Sequence, residues 1–538
     1  MNRNIHARLD DILEEMRRLI YSKHFFPILI SGVTIGILFF MLRTNFILGQ
    51  LRYFDMDELF YVSLARHVTL GLVPYRDFFF GVTPGYLWFL TPIFLFKTGV
   101  EALLAARGVS FVVFLSLMAV TSILYFLMRR SWTVVFVSFF LAFLPIPQDK
   151  LLEIRPDTIS LTLALGATAL QFYWMQNIER KKVHRLYILF LIGLLYALSL
   201  FIFPKTATHI GIALAGLGVF LLVRGREHEN TTKHVLQIIL SIFFGGGIVC
   251  VGFLLWIFVL GLDFWLVVNS IVKIPVEVTK LGYLFPIPPD FYFRPNDVFY
   301  GSYGYHVGFI TNAIIWGIGL LIAITRVFTI FFQKKASVRL MESILISSLF
   351  VQLYLYVSVY PFKHSQYLIP IAVFVCFFAA DAIGILWQWM RRRMFTQGIF
   401  VVVMIGVLIT CYQSYRIVTL PKLGFSNASS LHELNVFLRV VPENTYVLDL
   451  TGLTMEYPTP YYVMHLPFGQ FAQFLSTPLP ALIPNLKALD VPIIYAGGRL
   501  NTLTLEDQEF IYKEYTAVGN GNVLVRNDDL PRFDFSSL

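Results

Sequence analysis

Charge is what this sequence has least of. Of its 538 residues only 14% are Asp, Glu, Lys or Arg, and 57% are hydrophobic, against about 25% charged and about 45–50% apolar in a soluble chain. Cysteine is nearly missing. Cys250, Cys376 and Cys411 all sit in apolar runs, and the stretch from 418 onward has none, so no disulfide framework is available to it. GxxxxGK[ST], HExxH, CxxC and GxSxG do not occur, which removes the familiar motif routes to a nucleotide, a zinc site or a serine nucleophile. No internal repeat or low-complexity tract is evident.

What is abundant is apolar runs, many reaching the about 20 residues a membrane-crossing helix needs. The chain reads as an α-helical polytopic membrane protein. Its net charge of +9 does not imply nucleic acid, because the bases fall in short clusters between the runs. These are Arg129–Arg130, Arg180–Lys181–Lys182 with Arg185, Arg224 and Arg226 with Lys233, Lys334–Lys335 with Arg339, and Arg391–Arg392–Arg393. That is the bias of cytoplasmic loops.

Taking these clusters as cytoplasmic pins gives eleven spans, with the N-terminus inside and the C-terminus outside. The first, about 25–48, reads as an uncleaved signal anchor behind a cytoplasmic amphipathic segment, 1–24. The others fall at about 103–128, 133–147, 158–176, 187–203, 206–223, 235–260, 307–332, 340–360, 367–390 and 397–417. The five short inside loops carry 15 Lys/Arg and the three short outside turns four, in keeping with that orientation. Residues 49–102 form a first outside loop. Its apolar part, 84–97, contains Pro84 and Pro92 and suits an interfacial helix better than a span. A second long outside loop covers 261–305. Beyond the transmembrane domain, 25–417, the tail 418–538 reads as a small extracytoplasmic α/β domain. Strand-like TYVLDL, VPIIYA and NVLVR appear there, with a helix opening at Thr504, three residues before Asp507.

This layout gathers polar residues on the outer side. Asp55, Asp57 and Glu58 crowd the stretch RYFDMDELFY after the first span. Asp149, Glu153, Arg155 and Asp157 share one short turn, and Lys205 and Lys363–His364 occupy two others. Each has an ordinary explanation. Acids suit a helix N-terminus, with Asp55 or Asp57 as the cap of a helix over 58–68. Arg155 and Asp157 suit a local ion pair ahead of a helix that starts with Pro156. Lys205 and Lys363 suit snorkelling to the interface, and His364 a solvated loop. His209 suits packing, and Asp381, on the cytoplasmic half, a pair with a neighbouring helix.

The set also resembles the GT-C glycosyltransferases that use a polyprenyl-phosphate-linked sugar: protein O-mannosyltransferases, lipid A aminoarabinose transferases and rhizobial core-sugar transferases. Such enzymes place an Asp-Glu pair after the first span, here Asp57-Glu58 in DMDELFYVSLARHV. A Gly-x-x-Pro-Tyr-x-Asp-like stretch follows, here GLVPYRDFFFGVTPGYLWFL with Tyr75 and Arg76. A second acid follows the third span, here Asp157 of EIRPDTISLTLALG. A late basic segment ends in Tyr-Leu-x-Pro, here KHSQYLIP with Tyr367. The likeness runs over about 25–370.

There are two departures. The family's Lys-Pro-Pro is here Thr83-Pro84-Gly85 after Val82, and its Arg-Tyr is Gln366-Tyr367. The lysine that in some members meets the donor phosphate is therefore absent, and Arg76, Arg155, Lys205, Lys363 and His364 stand as unranked substitutes.

The resemblance implies Asp57 as general base, Asp157 orienting the acceptor or tuning Asp57, and Glu58 supporting the site. The co-substrate would be a polyprenyl-phosphate-linked sugar, and the acceptor an envelope glycan, lipid or protein. Acids of this kind also suit Mg²⁺, although the nearest enzymes of the resembled group do not need it. The alternatives are a transporter or flippase of lipid-linked saccharide, and a non-catalytic assembly subunit.

Overall fold

A computed structural model describes residues 25–177, 183–225, 231–284, 287–295, 297–333, 335–463 and 481–538. The expected segment 1–24, Arg180–Lys181–Lys182, Arg226 and Lys334 lie outside the described residues. In hydrocarbon no water satisfies a backbone N–H or C=O, so the apolar runs close their own hydrogen bonds as helices. In chain order these are α1 (Phe25–Leu51), α2 (Met56–Thr69), α3 (Gly85–Phe94), α4 (Gly99–Arg129), α5 (Val134–Phe143), α6 (Pro145–Leu151), α7 (Pro156–Gln176), α8 (Val183–Ile202), α9 (Ala207–Gly225) and α10 (Thr231–Val259). After them come α11 (Phe264–Val268), α12 (Ile274–Thr279), α13 (Asp297–Thr329), α14 (Ala336–Tyr354), α15 (Ile369–Met390), α16 (Met394–Val418), α17 (Ala428–Val440), α18 (Leu482–Ala488) and α19 (Leu505–Glu514).

Among the described residues eight helical segments are long and apolar enough to cross a membrane, or nine if the bent pair α5–α6 counts as one. Every expected span coincides with a helix, but three differ from the simple picture. The run expected as one span over 133–147 turns by 77° between α5 and α6. Leu144, which precedes Pro145, takes an extended ψ of 118°, as residues before proline do. The chain then turns aside and carries Gln148, Asp149 and Lys150 along the face of the bundle. Helices α7 and α8 are not among the eight. Buried Thr158, Ser160, Thr168 and Gln171 line α7. Helix α8 nests backbone to backbone against α10: a Cβ on Gly193 would stand 2.0 Å from the Ile242 carbonyl oxygen, and one on Gly245 would stand 2.1 Å from that of Phe190.

The two long loops are structured. The first holds α2 and the ten-residue α3, too short to cross a membrane. The second holds α11 and α12, and α13 already begins at Asp297 instead of 307.

The C-terminal region builds a four-stranded sheet of β1 (Val447–Asp449), β2 (Ile493–Tyr495), β3 (Tyr515–Val518) and β4 (Val523–Arg526), in the order β1-β2-β4-β3. β1 and β2 are parallel, and β4 is antiparallel to both β2 and β3. Thr504 caps α19, its hydroxyl accepting from the Asp507 N–H at 3.2 Å. β3 is not among the strand-like segments expected: it follows α19 directly, and Tyr515 pairs with Arg526.

This sheet shares one hydrophobic core with the first loop, in which Leu59, Phe60 and Phe80 meet Val447, Ile493 and Val523. Gly452, at φ +89°, lies so close to α2 that a Cβ would sit 2.8 Å from the Leu59 carbonyl oxygen. Glu456 pairs with Arg66 at 2.7 Å and accepts the Gly99 N–H at 2.6 Å. Tyr462 donates its hydroxyl to the Tyr75 carbonyl at 2.9 Å. At the opposite end of the bundle Asp381 meets Arg326 at 2.6 Å and Arg129 at 3.1 Å, the inter-helix pairing expected of it.

Candidate active site

The acids of RYFDMDELFY separate at the start of α2. Asp55 is the N-cap: its carboxylate accepts the Asp57 N–H at 2.9 Å, and the Glu58 carboxylate accepts the Asp55 N–H at 2.9 Å, completing a capping box. Glu58 is fully buried. Its oxygens take Arg107 at 2.7 and 3.0 Å and the Ile154 N–H at 3.1 Å. Arg107 also donates to the carbonyls of Gly49, Arg52 and Tyr53 and lies 4.0 Å over the Phe54 ring. Glu58 is thus engaged by Arg107 and by backbone N–H groups at the start of α2.

Asp57 points the other way. It is 39% exposed, more than any other carboxylate in the cluster, and meets Arg155 at 2.8 Å. Arg155 is a buried hub, with Glu153 at 3.2 Å, Asp157 at 3.6 Å and Asp55 at 3.9 Å. Burial opposes its charge, but Asp57, Glu153, Asp157 and Asp55 outweigh that and hold the guanidinium firmly protonated. Asp157 receives Lys205 at 2.9 Å. Lys205 in turn sits 4.0 Å over the Tyr367 ring, a favourable cation–π contact. Tyr360 and His364 flank that ring at 5.0 and 6.3 Å. Burial pushes the His364 imidazole down, helped by Arg155, Lys205 and Lys150 and opposed by Asp57. Below lies a narrow cavity lined by Asp157, Lys205, Tyr360, Gln366, Tyr367 and Gln352, where the buried side-chain N–H₂ of Gln352 has no partner among the described residues.

Of the residues singled out in the sequence, the structure thus joins Asp57, Arg155, Asp157, Lys205, Tyr367 and His364 in one continuous set of contacts. Three others lie apart from it. Tyr75 is fully buried at φ 71° and gives its hydroxyl to the Val82 carbonyl at 2.6 Å, which ties the loop that follows it. Arg76 is exposed and paired with its neighbour Asp77 at 2.9 Å. Lys363 places its ammonium among the carbonyls of Tyr356, Val357 and Tyr360, which engages all three of its protons.

Three residues of the cluster were not singled out. Lys150 bridges Asp55 and Glu153 at 2.8 and 2.9 Å, and Arg52 holds Glu153 at 3.0 Å. Arg107 left a signal, a charge inside an apolar run.

The donor set does not suit a divalent metal. Each carboxylate here already has a cation against it, and no group of three or more His, Cys, Asp or Glu side chains converges to hold one among the described residues.

No protein-family model matches the sequence, and no curated protein does. Solved structures do match it. ArnT from Cupriavidus metallidurans in the apo state superposes with a TM-score of 0.54 at 12% identity, over 92% of this chain and 98% of that one. ArnT from the same organism bound to undecaprenyl phosphate gives 0.53 at 13%, over 94% and 98%. The archaeal oligosaccharyltransferase AglB from Archaeoglobus fulgidus, in complex with an inhibitory peptide and a dolichol-phosphate, gives 0.50 at 11%, over 93% and 75%. At such identities the likeness is one of fold: a helical membrane bundle with a small C-terminal sheet domain, as in ArnT.

Proposed function

We propose that this chain is an inverting membrane glycosyltransferase. It moves a sugar from a polyprenyl-phosphate donor to a hydroxyl of an envelope glycan, lipid or protein, on the face that carries the C-terminal domain, here read as the outer face. The observation that carries the reading is Asp57: an accessible carboxylate, aimed by a buried guanidinium, at the mouth of a charged cluster on a fold shared with enzymes of this kind.

The chemistry needs little else. The acceptor hydroxyl attacks the anomeric carbon in line with the departing phosphate, so that configuration inverts. Its proton passes to Asp57 as general base. The bond from the anomeric carbon to the phosphate oxygen breaks, and the phosphodiester leaves as a monoester with one more negative charge. Lys205 and Arg155 oppose that growing charge, Arg155 as a planar fork and Lys205 as a point charge. Asp157 touches both cations and is a positioning residue in this scheme. The transporter alternative draws no support from the fold.

Mass spectrometry of envelope glycans and polyprenyl-phosphate sugars, with and without the gene, tests the reading. The expected result is a missing decoration together with an accumulated lipid-linked sugar; unchanged profiles would overturn it.

A further inference from the structure

The deeply buried polar side chains around the cavity beneath Lys205 are spoken for, with one exception. His209 meets Thr168 through Nε2 and Ser348 through Nδ1, both at 2.9 Å. Ser160 donates its hydroxyl to the Ser199 carbonyl at 2.9 Å, and Thr206 meets the Ser199 hydroxyl at 2.8 Å. Asp157 receives Lys205 at 2.9 Å. Gln352, one turn beyond Ser348 on α14, is 2% exposed. Of the side chains that line the cavity, it alone holds a buried polar atom, Nε2, without a partner among the described residues. The cavity measures about 20 Å³, roughly the space of one water molecule. Leu161, Phe203, Ile369 and Pro370 give it apolar walls. A buried N–H₂ left unpaired in such a place is costly, so the chemistry selects an oxygen acceptor.

We propose that Gln352 is a specificity-determining residue of the donor site: its Nε2 donates to one hydroxyl of the transferred sugar, which enters this cavity. The assignment rests on the transferase reading. In that reading Lys205 faces the departing phosphate, and the sugar is bonded to that phosphate. Lys205, Asp157 and Tyr367 belong both to the cavity lining and to the charged cluster. The cavity therefore adjoins the place where phosphate and sugar join. Its volume admits a hydroxyl and excludes a sugar ring, a phosphate or an acetamido group. A site built to hydrogen-bond a substrate hydroxyl rejects the analogue that lacks it, because its own buried donor is then left unpaired.

The test measures the binding of two lipids to purified full-length protein. One is undecaprenyl phosphate, and the other is the lipid-linked sugar that accumulates in cells lacking the gene. Gln352→Leu is expected to weaken binding of the lipid-linked sugar by about 10- to 100-fold, the loss of one buried hydrogen bond. Binding of undecaprenyl phosphate is expected to stay unchanged. Synthetic versions of the same donor, each lacking one hydroxyl, supply the second arm. One of them is expected to bind wild type as weakly as the parent donor binds Gln352→Leu, and to lose nothing further in the variant. An equal loss for both lipids would place Gln352 on the phosphate and overturn the assignment. No loss, or a loss that none of the deoxy donors reproduces, would leave the cavity to water and overturn it as well. If Asp57→Asn abolishes decoration while Gln352→Leu keeps full affinity for the donor, the transferase reading stands and this inference falls; if no lipid-linked sugar accumulates, both fall. Should Gln352→Leu fail to accumulate in the membrane, Gln352→Met takes its place.

Discussion

Arg155 touches Asp57 at 2.8 Å and stands 3.6 Å from Asp157, so one buried guanidinium couples the acids at the starts of two separate helices. Asp57→Asn keeps the shape and removes the basicity. It is expected to lower transfer by about 10²- to 10⁴-fold, the range of general base catalysis, with thermal stability little changed because Asp57 is partly exposed. Glycan mass spectrometry alongside a melting curve checks both; an active Asp57→Asn protein would take the base role away from this residue.

Lys205→Ala leaves Asp157 without its nearest cation. Affinity for undecaprenyl phosphate is expected to fall by about tenfold, one charge-assisted hydrogen bond. Titration of the purified protein with that lipid is the measurement, and an unaltered affinity would assign the phosphate to other cations.

Glu58 and Arg107 behave as a structural unit. Both side chains are fully buried, and removing one partner of such a pair costs about 3–5 kcal/mol. Glu58→Gln and Arg107→Met are each expected to lower Tm and yield. The double variant Glu58→Met with Arg107→Met should regain part of the loss. If the double variant is as unstable as the sum of the singles, the pair is not what links α2 to α4.

The pH dependence of stability has a named source. Burial, with Asp55 adding to it, pushes the Glu153 carboxyl up from its ordinary 4.5 to about 7 against the pull of Lys150, Arg52 and Arg155. An acid that binds its proton more tightly folded than unfolded contributes stability below about 4.5, and that contribution is lost as pH rises through about 7. Asp55 runs the other way. Although burial opposes it, Lys150 and Arg155 hold its carboxyl low, so its contribution is present above its ordinary 3.8 and lost as pH falls. Glu153→Gln is expected to flatten the Tm profile between pH 4.5 and 7 and leave the acid limb in place. A persisting slope in that window would assign it elsewhere.

Gly452→Ala tests the docking of the C-terminal domain. Its φ of +89° and the 2.8 Å approach to the Leu59 carbonyl oxygen leave no room for a methyl group. The substitution is expected to open the contact with α2 and raise proteolysis between 418 and 463, read by a timed digestion.

The sequence carried what depends on composition and local chemistry. Apolar length alone locates the helices, and the spacing of Asp55 and Glu58 contains a capping box. Sorting the loops by side brings Asp57, Arg155, Asp157, Lys205 and Tyr367 to one place. What escaped depends on contacts between distant residues. Hydropathy cannot see the turn at Leu144, because α5 and α6 form one apolar run. Tyr515 to Val518 becomes a strand only by pairing with Val523 to Arg526. The partner of Glu58, Arg107, lies in the next long helix, so their pairing is invisible to local spacing.

The seating of the C-terminal region on α2 also bears on biosynthesis. His67 waits 390 residues of translation for the Tyr457 carbonyl that its ring contacts, and Leu59 waits slightly longer for Gly452. A ribosome that stalls before this segment emerges leaves a bundle with its spans in place and α2 uncovered. The covering of α2 is therefore a late event in the making of the chain, completed only once Gly452 and Tyr457 have been added.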